Sequence, residues 1–183
     1  MRVAWPACQR HLTDSRTHLN TIVQRCAVDL FHSAGIAVAP LPAVALRPGQ
    51  PKHFSPAGVV AFSAPKLSGT LALSLAEGIY GLFTPPVVGV RAVHDAVKEL
   101  TNQLAGRVKN RLLQFQVTLN VGMPSTTNGD DLDKRAGGGL ETLYAFRTLR
   151  GEIHVTLNGV VDGSVLSYSN AVNVAQEGEF IAF

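Results

Sequence analysis

The chain has 183 residues, of which 46% are hydrophobic and 16% charged, with a net charge of +3. That length supports one well-filled core rather than two full domains, and so few charges mean that the fold buries much of its surface or carries an interface. The basic residues are scattered without aromatic interleaving, which argues against nucleic-acid binding; the two cysteines, Cys8 and Cys26, make no disulfide framework; and no apolar run reaches the roughly 18 residues of a membrane span.

The opening "MRVAWPACQRHLTDSRTHLN" is broken by Pro6 and lacks the apolar stretch of a secretory signal. Residues 1–18 are read as an N-terminal extension, and the protein as cytoplasmic. In "LNTIVQRCAVDLFHSAG", Ile22, Val23, Cys26, Ala27, Leu30 and Phe31 recur at helical spacing, and Gly35 is the expected stop. Cys26 lies on the apolar side as a small core residue. "IAVAPLPAVALRPGQP" is an extended segment that Pro40 and Pro42 confine to a sheet edge or a loop.

"AGVVAFSAPKLSGTLALSL" reads as a hairpin, with strands Val59–Phe62 and Gly69–Leu75 around a turn at Ser63–Ser68. "AEGIYGLF" is a short helix closing before Pro85 and Pro86. A long helix runs from about Val90 to Gln114. After it come a strand, Phe115–Gly122, and a polar loop rich in Gly, Asn and Asp, Met123–Gly139. A second hairpin, Thr142–Leu149 and Glu152–Leu157, is joined at Arg150-Gly151. Residues 19–159 form the domain, and residues 160–183 are a last strand ("EGEFIAF") or a tail. The sequence shows no clear repeat. Blocks of helix and mostly antiparallel strand point to an α+β fold of two layers, with helices on one face of the sheet.

The long helix carries the candidate site. Val93, Ala96, Val97, Leu100 and Leu104 form its apolar stripe, extended by Val108 and Phe115. On the opposite side Asp95, Glu99 and Asn102 fall within about 60° of one another, with Gly106 one turn further on. A glycine inside a helix costs about 1 kcal/mol relative to alanine, and close approach of another surface is one reason to keep it. An asparagine amide both donates and accepts hydrogen bonds, so it can hold a water in line with a phosphorus atom, while a nearby glutamate can pair with a cation. The same three residue types also make an ordinary wet helix face. The basic grouping Arg107, Lys109 and Arg111 reads as a solvated face.

Asp95, three residues, Glu99, two residues, Asn102, followed by "LAGRVKNRL", resembles the signature helix of the CheC/CheX/FliY family of chemotaxis phosphatases. "NTIVQRCAVDLFHSAGIAV" resembles that family's first helix, and "GVVAFSAPKLSGTLALSL" its first hairpin. The likeness spans roughly Leu19 to Leu157, and the single signature helix is closer to CheX than to CheC. It implies a phosphatase for the aspartyl phosphate of a CheY-type response regulator. Asn102 orients the attacking water and Glu99 pairs with a lysine of the partner. Asp95 and Gly106 serve docking. The resemblance further implies a homodimer formed through the sheets and a Mg²⁺ that belongs to the partner, with no metal ligand in this chain. The alternative is a non-catalytic adaptor of the same fold that docks a regulator or a flagellar component, or a purely structural dimerisation domain.

Other motifs carry less. Ser63-Ala-Pro-Lys66 has the Ser-x-x-Lys spacing of some acyl enzymes, but Pro65 puts it in a turn rather than at a helix start. Ala136–Leu140 is glycine-rich yet lacks the Gly-Lys-Ser/Thr ending of a phosphate loop. The six histidines are dispersed; His94, beside Asp95, reads as a surface residue with docking as the other option.

Overall fold

A computed structural model of the chain describes residues 8–42, 44–45, 54–83, 89–135, 140–161 and 165–166. The elements in order are helix α1 (Cys8–Ser33), strands β1 (Ala39–Pro40), β2 (Val44–Ala45), β3 (Ala57–Ala64) and β4 (Leu67–Leu75), a short helix α2 (Glu77–Tyr80), the long helix α3 (Val90–Leu112), strands β5 (Asn120–Val121) and β6 (Ser125–Thr127), helix α4 (Gly129–Arg135), and strands β7 (Leu140–Thr148) and β8 (Gly151–Val161). All described strand pairs are antiparallel, in the order β1–β7–β8–β4–β3–β5, with β2 also on β7 and β6 also on β3.

Residues of α1 and α3 pack side by side on one face of this sheet, giving the two layers expected. Alternation sets which strand residues meet them. Leu71, Leu73 and Leu75 of β4, Ile153, Val155 and Leu157 of β8, and Tyr144 and Phe146 of β7 are buried with Val23, Cys26, Leu30 and Phe31 of α1 and Val97, Leu104 and Val108 of α3. Helix α3 comes especially close to β3: a Cβ at Gly58 would lie 2.1 Å from Thr101 Oγ1 and 2.8 Å from the Val97 carbonyl. Only glycine admits the helix there. Thr101 is buried, and its hydroxyl is satisfied by donating to the Val97 carbonyl one turn back, at 2.7 Å.

Both long helices end the same way. Gly35 takes φ of 75°; the Ile36 amide donates to the Phe31 carbonyl and the Gly35 amide to the His32 carbonyl, a Schellman ending at the glycine anticipated from sequence. After α3, a 3₁₀ turn at Leu113–Phe115 leads to Gln116 at φ of 59°, with the Val117 amide on the Leu112 carbonyl and the Gln116 amide on the Leu113 carbonyl.

Several expectations shift. Helix α1 starts at Cys8, so residues 8–18 of the supposed extension are about three turns of it. Ser15 is buried there and its hydroxyl accepts from the Leu166 amide, which ties the described part of the 160–183 tail to α1. The segment 167–183, including "EGEFIAF", lies outside the described residues. Phe115–Gly122 is not a strand throughout. Val117 and Leu119 are buried, but only Asn120–Val121 pairs with β3 as strand, with the Gly122 amide donating to the Ala61 carbonyl. The Met123–Gly139 loop contains β6 and α4: Ser125–Thr127 rejoins β3, and Asp130 and Asp131 sit in the first turn of α4, where the helix dipole favours acids. The first hairpin turn is tighter than expected, only Pro65-Lys66, and the second falls at Leu149-Arg150.

The structure also has a symmetry the sequence conceals. Each half runs long helix, interrupted edge strand, hairpin: α1, β1/β2, β3–β4, then α3, β5/β6, β7–β8. Exchanging the halves turns the strand order into its own reverse. Among the described residues both edges are short strands, one of them containing Pro40, which limits edge-to-edge pairing.

Candidate functional site

The solvent side of α3 is a single stripe. Asp95, Glu99, Asn102 and Lys109 are exposed and Gly106 is half-buried among them; their spacing of four, three, four and three keeps all five within a sector of about 80°. The opposite side, Val97, Leu100, Thr101, Leu104, Ala105, Val108 and Leu112, is buried. The same packing that sinks Val97 and Leu104 into the core therefore presents Glu99 and Asn102 on an element fixed against the sheet.

The structure thus brings together all four residues singled out from sequence. Asp95 is held by Lys98, whose Nζ donates to Asp95 Oδ1 at 3.2 Å, an exposed pair worth little in stability but enough to bias the carboxylate. Gln103 Nε2 donates to Glu99 Oε1 at 2.9 Å. Glu99 remains an exposed acceptor. The Asn102 amide is exposed, and among the described residues no group bonds to it, which leaves both its donor and acceptor atoms to water or a ligand. A Cβ at Gly106 would meet nothing within 4 Å, so no described part of this chain requires glycine there. The arrangement lacks the hydrogen-bonded base that a covalent nucleophile needs. It offers an amide, a carboxylate and a flat approach.

One neighbour was not legible in the sequence. His94 is half-buried, and its Nδ1 lies 3.0 Å from Thr126 Oγ1, fastening the start of α3 to β6. No sequence signal pairs these residues, because Ser125–Thr127, the strand holding Thr126, has the composition of a loop. Of the basic trio, Lys109 is exposed as expected, but Arg107 donates to Ser33 Oγ and Arg111 to Asp29 Oδ2, so both reach across to α1. Ser63 is an exposed strand residue and Lys66 a turn residue, which removes the acyl-enzyme reading of that motif. Among the described residues no three His, Cys, Asp or Glu side chains are grouped as a metal site, and no helix is long and apolar enough to cross a membrane.

A cavity of about 320 Å³ lies away from this helix, over the other face of the sheet, between Thr70, Thr156, Asn158 and Glu141 and the β6–α4 segment. Its hydroxyls, amide and single carboxylate do not include a nucleophile–base pair or a cation for phosphate, so it is not where the chemistry of the motif would occur.

The sequence matches no family model, and no curated protein matches it. Solved structures do match in shape. A CheC-like superfamily protein from Shewanella sp. PV-4 superposes with a TM-score of 0.65 at 17% identity, over 77% of this chain and 96% of that one. The fold is that of the CheC-like and CheX chemotaxis proteins. CheX from Desulfovibrio desulfuricans matches with a TM-score of 0.64 at 16% identity, over 78% of this chain and 99% of CheX. The CheX of a CheX–CheY–BeF₃–Mg²⁺ complex from Borrelia burgdorferi matches with a TM-score of 0.65 at 10% identity, over 76% and 96% of the two chains. At such identities the likeness establishes the CheX-like architecture, and residue roles rest on the geometry of α3.

Proposed function

We propose that this chain is a phosphatase for the aspartyl phosphate of a CheY-type response regulator, in chemotaxis or another two-component pathway. The observation that carries the reading is the exposed Asp95–Glu99–Asn102 face on a rigid helix of a CheX-like fold, a fold shared by a CheX solved in complex with CheY. Glu99 pairs with a lysine of the regulator and fixes the approach, and Gln103 limits the positions Glu99 can take. Asn102 enters the phosphorylation site and holds a water in line with phosphorus. The water's oxygen forms the new P–O bond, the bond to the aspartyl oxygen breaks, and the regulator regains its carboxylate as inorganic phosphate leaves. Asp95 and Gly106 border the docking surface. The Mg²⁺ in this reading is the regulator's. Catalysis here is positioning: no group of this chain changes covalently, so what matters is that the amide stands on an element that does not move. The protein works as a cytoplasmic homodimer in this proposal.

The test is loss of acyl phosphate from a panel of phosphorylated response regulators, with wild type and Asn102→Ala. The expected result is acceleration by wild type that falls about a hundredfold in the variant, the scale on which lost positioning acts, while binding persists. Binding without acceleration would replace this reading with the adaptor. Neither binding nor acceleration across a full panel would leave the three residues as an ordinary wet helix face.

A further inference from the structure

The two-fold relation between the halves gives α1 a counterpart of the α3 face. A shift of 78 residues places Leu19, Val23, Cys26, Ala27 and Leu30 on Val97, Thr101, Leu104, Ala105 and Val108, and all ten are buried. The same shift puts Thr17, Thr21 and Gln24 where α3 has Asp95, Glu99 and Asn102, and Arg25 where it has Gln103. The acids are gone and a guanidinium has been added. A cavity of about 90 Å³ opens at this spot, where His18, Thr21 and Arg25 of α1 face Arg111 of α3 and Gln114 and Phe115 of the turn that follows it.

We propose that this cavity binds a phosphate-class oxyanion. Arg25 and Arg111 both line one small space. Arg111 pairs with Asp29, an exposed carboxylate 3.5 Å away, and Arg25 has no ion pair among the described residues. Two like charges around one cavity repel each other, and an anion seated between them reverses the sign of that interaction. Arginine forks match the oxygens of phosphate, and the Gln114 amide adds a neutral donor. The space, about 90 Å³ and open to solvent, has room for a tetrahedral oxyanion. His18 and Phe115 stack with ring centroids 6.2 Å apart and form an aromatic wall. The site is separate from the Asp95–Glu99–Asn102 face and does not depend on the phosphatase reading.

The experiment is a backbone amide NMR titration of the full chain with inorganic phosphate and, separately, methyl phosphate, against chloride at matched ionic strength. Saturable shifts are expected at His18, Thr21, Arg25, Arg111 and Gln114. Affinity should fall about tenfold or more in Arg25→Gln and in Arg111→Gln, as loss of a charge-assisted hydrogen bond implies. Arg25 is exposed, so its substitution leaves the fold intact and keeps the test decisive even if loss of the Arg111–Asp29 pair perturbs the helices. Methyl phosphate binding as well as phosphate assigns the site to monoesters; phosphate alone assigns it to the free ion. Shifts no larger than those from chloride, shifts confined to other residues, or undiminished binding in both variants would overturn the proposal.

Discussion

Gly106→Ala separates a docking role for that residue from mere tolerance. Position 106 lies well inside the 23-residue helix α3, and an added methyl would meet no atom of the described residues within 4 Å beyond the helix's own backbone. The folded chain therefore gains the full difference in helix propensity, about 1 kcal/mol. For a chain of this size that corresponds to a melting temperature higher by about 2–4 °C. If the stripe from Asp95 to Gly106 is where the regulator lies, the same methyl intrudes on the interface. The variant should then be more stable and bind the phosphorylated regulator more weakly. Thermal melting by circular dichroism and a titration with the regulator give the two readings. A lowered melting temperature would refute the open-space argument; unchanged binding would remove Gly106 from the docking surface.

The close seat of α3 on β3 predicts that Gly58→Ala destabilises by at least the 1–3 kcal/mol typical of overpacking, and that Thr101→Ala in the same chain recovers part but not all of it, because Thr101 Oγ1 is removed while the Val97 carbonyl remains at 2.8 Å. Denaturant unfolding of the two single variants and the double variant measures this coupling. Alkaline pH should weaken the fold. Burial, with Glu77 adding to it, pushes the Tyr80 hydroxyl up to about 12, and burial moves Tyr144 further in the same direction. An unfolded tyrosine titrates near pH ~10, so the unfolded chain releases these protons first; the stability they contribute is complete below about pH 10 and declines as pH rises through the folded values. Denaturant midpoints between pH 9 and pH 12 test this, with Tyr144→Phe expected to flatten the decline.

What the sequence disclosed follows from its periodicity. The 3.6-residue pattern of α3 locates both its buried side and the Asp95–Glu99–Asn102 face, and Gly35 marks the end of α1 because glycine takes the positive φ of that ending without strain. The failures have causes too. The start of α1 is hidden in the sequence because its early turns carry polar residues: Arg16 is half-buried yet donates to the Gly159 carbonyl and Thr142 Oγ1, and Asn20 accepts from the Tyr144 hydroxyl at 2.6 Å. A helix anchored through hydrogen bonds to a sheet looks wet in sequence. The β6 strand is not legible in the sequence because Ser-Thr-Thr in an Asn- and Gly-rich setting has the composition of a loop, and three residues make no period. The two-fold repeat was hidden because what the halves share is burial, not residue type: Val23 answers to Thr101 and Cys26 to Leu104.

That repeat bears on stoichiometry. The fold offers two equivalent helix faces, and a binding surface duplicated by symmetry would take two regulators per chain. The two faces have diverged in charge, however. Glu99 and Asn102 on α3 answer to Thr21 and Gln24 on α1, and Arg25 stands beside the latter pair. If Glu99 meets a lysine of the regulator as proposed, the positions that answer to the α3 motif on α1 offer only neutral groups with a cation beside them, and a like charge brought against that lysine opposes docking. One regulator per chain is the expected ratio, measurable by sedimentation or calorimetric titration, and Glu99→Lys should abolish binding rather than divert it to α1. A ratio of two, or residual binding of Glu99→Lys that is lost on changing Thr21 or Gln24, would show that the α1 face still receives the regulator and that the divergence in charge does not decide where it docks.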